Sequence, residues 1–304
     1  MNSAVTLCSL LRMVLGFDEK VTPVQTVLTP QMLEQVYALA QKHDLAHLAA
    51  QALEKLDVPD CPILEQFRRA KKNAVFRYIR QDDAYSQICN ALEEAQIPFL
   101  PLKGAVMRAY YPEAWMRTSC DIDILVQEDR LDTAAALLEE KLRYERKAKG
   151  NHDLTMTSEN GIHLELHYLA IDKGQYMAVQ NLFGNIWEVA EPKAPFRFQY
   201  VMPDEWFYLY HVAHMAKHFE NGGCGIRPFL DLWILNYGIP FSRKKRDLLL
   251  EKGELLPFGQ AAEKLAQVWF SNGEANPVTE KMAEYIIRGG IYGNQKNLIG
   301  IQQT

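Results

Sequence analysis

Apolar residues recur at helical spacing from Pro30 to Leu56, in PQMLEQVYALAQKHDLAHLAAQALEKL, and the interruption near His43 and Asp44 predicts two short helices. The stretch FRRAKKNAVFRYIR, Phe67 to Arg80, holds six basic residues and no acid: a solvated helix face on the plain view, a phosphate-attracting flank on the other. In DDAYSQICNALEEAQ, Tyr85, Ile88, Cys89 and Leu92 share one helical stripe, and the short apolar run IPFLPL, Ile97 to Leu102, follows as a strand. Lys103-Gly104 ends that run, AVMRAYY predicts a short helix, and Pro112 stops it before the loop that delivers the β-branched strand DIDILV. Past Asp129, Leu131, Ala134, Ala135, Leu138 and Leu142 lie on one face of a further helix. HDLTMTSENGIHLELHY then predicts two strands around Asn160-Gly161, both of which tolerate positive φ.

The Pro-bearing segment from Glu188 to Pro203 has the character of a boundary. Beyond it, DEWFYLYHVAHMAKHF starts at an N-cap candidate, Asp204, and RPFLDLWIL forms another helix after the turn NGGCG, so the C-terminal third is mainly helical. The end, GGIYGNQKNLIGIQQT, lacks a clear helical cap, as a truncated or mobile terminus would.

Composition narrows this picture. With 304 residues and 48% hydrophobic content the chain can bury one large core or two ordinary ones. Its net charge of -5 argues against a wholesale nucleic-acid coat, while local basic patches can still grip phosphates. The five cysteines are scattered without a C-x-x-C pair, so neither a disulfide framework nor a zinc ribbon is expected and a reducing cytoplasm fits best. The N-terminal MNSAVTLCSLLRMVLGF lacks a basic start and is broken by Arg12; it predicts the first helix of a soluble protein, and no run approaches membrane-spanning length.

The candidate chemistry lies in RTSCDIDILV. Residues two apart on a strand share a face, so Asp121 and Asp123 point one way while Ile122, Ile124 and Val126 point into a core. Two like charges side by side repel, and a divalent cation removes that cost; hard oxygen ligands favour Mg²⁺ or Mn²⁺. In IHLELH, Ile162, Leu164 and Leu166 alternate with His163, Glu165 and His167, which makes Glu165 a third acid, and three carboxylates on neighbouring strands can hold two cations. An arginine or lysine locked onto the aspartate pair would instead make these acids structural. Gly104, where a strand turns into a helix, lets backbone approach an anion, with an ordinary tight turn as the plain alternative. Arg117 and Ser119 supply fork geometry and a hydroxyl to a triphosphate, or face solvent.

Other polar residues carry weaker signals. His163 and His167 flank Glu165, but nothing supplies the second cluster of nitrogen or sulfur ligands that zinc usually has. His211, His214 and His218 recur along one helix beside Lys217; a packed interface is the plain view, and His214 or Lys217 touching phosphate or acceptor is the functional one. Arg227 and Asp231, one turn apart, suggest a structural ion pair more than substrate contacts, and His152 opens the first hairpin strand within reach of the same cleft.

The stretch FLPLKGAVMRAYYPEAWMRTSCDIDILV, Phe99 to Val126, resembles the nucleotidyltransferases of the DNA polymerase β-like superfamily, and specifically a little-characterised bacterial family with a strand ending in Lys-Gly followed by Arg-x-x-x-Asp-x-Asp. Looser similarity extends to ALAQKHDLAHLAAQAL, HDLTM, LELH, HMAKHF and RPFLDL, about two thirds of the chain. The resemblance implies an α+β fold: a small mixed β-sheet catalytic domain over residues 81–200, between helical regions at 1–80 and 201–304. It implies transfer of a nucleoside monophosphate from a nucleoside triphosphate to an acceptor hydroxyl with Mg²⁺ or Mn²⁺, releasing pyrophosphate. By motif, Asp121 and Asp123 bind both metals, Glu165 binds the nucleophile-side metal or acts as base, and Gly104 brings backbone to the phosphates. The wider superfamily carries Gly-Ser or Gly-Gly where this chain has Gly104-Ala105, so Lys103 or Ser119 must replace a missing hydroxyl contact. Two other functions are set beside this one: a module that holds a nucleotide without consuming it, and a zinc hydrolase on the histidine-rich strand. The acceptor is a small molecule or protein in preference to RNA, which the basic helix keeps in view.

Overall fold

The structure is a computed structural model that describes residues 3–16, 28–174, 176–238 and 240–290. The chain end from residue 291, and with it the expectation of a truncated or mobile terminus, lies outside the described residues. The chain divides into two units, one of residues 76–210 with 241–254, the other of residues 1–75, 211–240 and 255–304.

The first unit is built on a five-stranded mixed sheet of β1 (Phe99–Pro101), β2 (Asp121–Val126), β3 (Tyr144–Lys149), β4 (Asp153–Ser158) and β5 (His163–His167), in the order β1-β2-β5-β4-β3. Only β2 and β5 run parallel; the other neighbours are antiparallel. One sheet face buries Ile122, Ile124, Val126, Leu154, Met156, Leu164 and Leu166 against Ile88, Cys89 and Leu92 of a long helix and Leu131, Ala134, Ala135 and Leu138 of Leu131–Leu142. Strand alternation therefore leaves Asp121, Asp123, Glu165 and His167 on the opposite face.

The long helix spans Ile63–Glu94, 32 residues without a proline or glycine to break it. The basic stretch and the Tyr85–Leu92 stripe, which periodicity suggested as separate segments, are thus one helix, and residue 80 lies inside it. Arg68, Arg69, Lys72 and Arg80 are solvent-exposed, in keeping with the plain view of that stretch.

β3, YERKAK, went unforeseen because five of its six residues are exposed and the period-2 apolar signal is missing. Its charges, with Arg146 paired to Asp132 and Glu139, blunt a sheet edge. The hairpin formed as foreseen, but only Gly161 of the Asn-Gly pair has positive φ, 74°. Its amide donates to the Ser158 carbonyl at 2.9 Å, and the Ile162 amide donates to the Ser158 hydroxyl at 3.0 Å. The Pro-bearing segment is fastened to the sheet unit: the Phe99 amide donates to the Phe198 carbonyl at 2.9 Å, and Glu93 accepts from the amides of Arg197, Phe198 and Gln199.

The second unit is helical. Ser3–Leu15, then Pro30–Lys42 and Ala46–Leu53, follow the periodicity and its break at His43-Asp44, and Arg227–Gly238, Leu256–Phe270 and Pro277–Gly289 bury Phe229, Trp233 and Phe270. Thr29 and Asn276 cap two of these helices with side-chain oxygens, meeting amides that the first helical turn leaves without partners. Among the described residues, no helix is long and apolar enough to cross a membrane.

Candidate active site

The parallel pairing of β2 with β5 sets Asp123 directly opposite Glu165, in a row that continues to Thr155 on β4. Asp123 is 2% exposed, and its Oδ1 accepts from Lys103 Nζ at 2.7 Å and from His167 Nε2 at 3.1 Å. The same two nitrogens lie 3.4 and 3.3 Å from Glu165 Oε2, so two carboxylate oxygens are bridged by two nitrogens. Burial works against charge on Asp123, but Lys103 and His167 outweigh it and hold the carboxyl well below the usual range. A hydrogen bond from His167, with Lys103 assisting, lowers Glu165. Asp121, at the strand mouth, is pushed up to about 6 by burial and by the charge of Asp123.

His167 is buried, and its Nδ1 has no hydrogen-bond partner among the described residues. A buried ring nitrogen without an acceptor is best left unprotonated, which assigns the proton of the neutral ring to Nε2, pointed at the two acids. His167 therefore orients the carboxylates by donating to them. Burial alone would lower its pKa, yet the bonds to Asp123 and Glu165 raise it.

Lys103 occupies a left-handed backbone position, φ 40°, at the corner between β1 and the helix Lys103–Met107. The sequence offered it as a contact to phosphate; here its ammonium lies on the acids. Its ammonium is raised well above its ordinary pKa, because Asp123, Tyr210 and Glu165 overcome the cost of burial. Tyr210, a buried residue that periodicity did not single out, is itself raised, burial being the main cause.

Gly104 has a local structural reason: a Cβ there would sit 3.0 Å from Ser119 Cβ, closer than side chains pack. The helix it opens is only five residues long, a small basis for the expected anion contact. Ser119, expected to meet a triphosphate, is instead buried, its hydroxyl donating to Asp121 O at 3.0 Å and accepting from Arg108 Nη2 at 2.8 Å. Arg108 and Gln81, both buried and both missed in the sequence, hold the loop from Arg117 to Asp121: the Arg108 guanidinium also reaches Arg117 O at 3.3 Å and Gln81 Oε1. Their signal was faint, since an arginine in a short helix and a glutamine beside a basic run usually face water. The Arg117 guanidinium bonds the Thr118 carbonyl.

His152 does reach this part of the sheet: its ring lies 5.3 Å from that of His167, and Nε2 is 3.0 Å from Asp172 Oδ1. His163 is exposed, its ring 3.4 Å from the Thr157 hydroxyl, and is not gathered with the acids. His214, Lys217, Arg227 and Asp231 belong to the helical unit. Arg227 Nη1 pairs with Asp44 at 2.7 Å, and Asp231 is fully buried.

Asp123, Glu165 and His167 each offer one donor atom, all within 4.8 Å of one another. Asp121, expected in the metal set, is outside this trio, although its charge acts on the same carboxylates. With the Nε2 of His167 protonated toward the two acids, the donor atoms gathered around the Lys103 ammonium are carboxylate oxygens, and that ammonium already lies between them as a cation. The residues thus fit a hard divalent ion, and zinc, which prefers nitrogen and sulfur, fits them less well.

The sheet thus sets carboxylates side by side across its parallel strands, next in sequence to a strand–Lys-Gly–helix corner, and the family match gives the class, nucleotidyltransferase. The chain belongs to a family described as uncharacterised nucleotidyltransferase, whose model matches residues 29–258. No curated protein matches it.

Proposed function

We propose that this protein is a Mg²⁺- or Mn²⁺-dependent nucleotidyltransferase that moves a nucleoside monophosphate from a nucleoside triphosphate to an acceptor hydroxyl and releases pyrophosphate. The observation that carries this reading is the facing pair Asp123 and Glu165, in register on adjacent parallel strands with Asp121 two residues away on the same face, in a chain of this family. When bound, the divalent ion supplies charge neutralisation at the reacting phosphates. Asp123 and Glu165 would hold it, with Asp121 completing the set from the strand mouth. His167 fixes the two carboxylates from behind, and the lowered pKa of Glu165 suits a ligand more than a proton acceptor. Arg108 and Gln81 hold the loop that sets the position of Asp121.

The catalytic part is the sheet segment within residues 81–200. A small molecule or protein is the acceptor class we favour: the chain is acidic overall, and two cations of the basic stretch are spent on local acids, Lys71 on Glu54 and Arg68 on Asp60 and Glu65. The cytoplasm is the compartment proposed, supported by five free thiols.

A thermal-shift screen of the four ribonucleoside triphosphates tests the reading, since a ligand that binds only the folded state raises its melting point. At least one triphosphate should stabilise the wild type only when Mg²⁺ or Mn²⁺ is present, and Asp123→Asn should lose the response. Stabilisation without a divalent ion, or none with any triphosphate, contradicts it.

A further inference from the structure

We propose that Lys103 is the resident counter-cation of this site, that a divalent ion enters only by displacing it, and that the triphosphate then receives the displaced ammonium. Metal and nucleotide would bind cooperatively through this one side chain. The nucleotide half of the proposal rests on the nucleotidyltransferase reading; the displacement half does not.

The geometry sets the competition. Lys103 Nζ lies 2.7 Å from Asp123 Oδ1 and 3.4 Å from Glu165 Oε2, the oxygens a divalent ion would need at about 2.0–2.6 Å. Two cations cannot share those oxygens without strong mutual repulsion, so occupancy by one excludes the other. The lysine can leave. Its side chain is 28% exposed, its four-carbon stem is flexible, and among the described residues the hydrogen bonds of the ammonium go to the two acids. Displacement without a new anion would strand a positive charge beside a divalent ion, which makes metal alone a poor competitor. A triphosphate supplies that anion, and linkage then requires each ligand to tighten the other by the same factor.

Mn²⁺ binding, followed by the electron paramagnetic resonance of the free ion, reads the exchange without any activity measurement. Wild-type protein should bind Mn²⁺ weakly by itself and tenfold or more tightly with a non-hydrolysable α,β-methylene triphosphate, within the usual range of coupling. Lys103→Gln should bind Mn²⁺ alone at least tenfold more tightly than wild type and show little further gain from the analogue. Equal affinity of wild type and Lys103→Gln for Mn²⁺ alone overturns the displacement. Should the variant fail to fold, the wild type decides: independent binding of metal and analogue overturns the cooperativity. An analogue that never binds, beside a Lys103→Gln that still tightens Mn²⁺, supports displacement and refutes the nucleotidyltransferase reading.

Discussion

Asp121 and Asp123 are two residues apart on one strand and have opposite electrostatic fates. Asp123 is fully enclosed and paired, and stays ionised far into acid; Asp121 has the charge of its neighbour without an equal share of Lys103 and is pushed up to about 6. An acid raised in the folded state favours the protonated fold, so ionising Asp121 costs stability. That cost is absent below its ordinary value of 3.8, grows between there and about 6, and is constant above. Asp121→Asn should therefore raise the melting point of the metal-free protein at pH 7.5, with the gain shrinking as pH is lowered toward 4. Wild-type affinity for Mn²⁺ should fall by about tenfold per pH unit below pH 6, as the proton competes for the carboxylate. Calorimetric titration across pH 5 to 8 checks both: an Asp121→Asn variant with no stability gain at pH 7.5, or a flat affinity profile, would show that Asp121 faces no such field.

Elements defined by apolar periodicity were legible before the structure, and those defined by charge were not. The hairpin is the instructive case. Its strands followed from alternation in HDLTM and HLELH, and its position from Asn160-Gly161, but the turn uses Gly161 alone in the left-handed region. Gly161→Val, which a β-carbon resists at φ 74°, should cost about 1–2 kcal/mol in urea unfolding. A loss within error would mean that the turn relaxes freely. Because β5 carries Glu165 between β2 and β4, the same variant should also weaken Mn²⁺ binding. The paired acids were readable from spacing, since a period of two fixes which residues share a face. That Lys103 would close on them, and that His167 would orient them, was not readable: both depend on which strands pair and in what register, which one sequence does not encode locally. The enclosed network of Arg108, Gln81 and Ser119 was hidden for a related reason, since three polar residues spread over 39 positions have no common period.

At the scale of the molecule, the acids, the lysine corner and the loop that steadies them all fall in the sheet unit, within the residues matched by the family. The sheet gives one face to a hydrophobic core and the other to charge, where a buried aspartate has a lysine and a histidine as its neighbours. The helical unit contributes its own core around Trp233 and its own ion pair, Arg227 with Asp44. The central claim is that the carboxylate face of the sheet unit transfers nucleotides, and transfer of label from an α-³²P nucleoside triphosphate tests it most directly. Purified protein with Mg²⁺ or Mn²⁺ and cell extract as the source of acceptor should move label into a product while releasing unlabelled pyrophosphate, and Asp123→Asn should abolish this. Triphosphate that binds with a divalent ion yet is recovered intact from both proteins would contradict it and leave a nucleotide-holding module in its place.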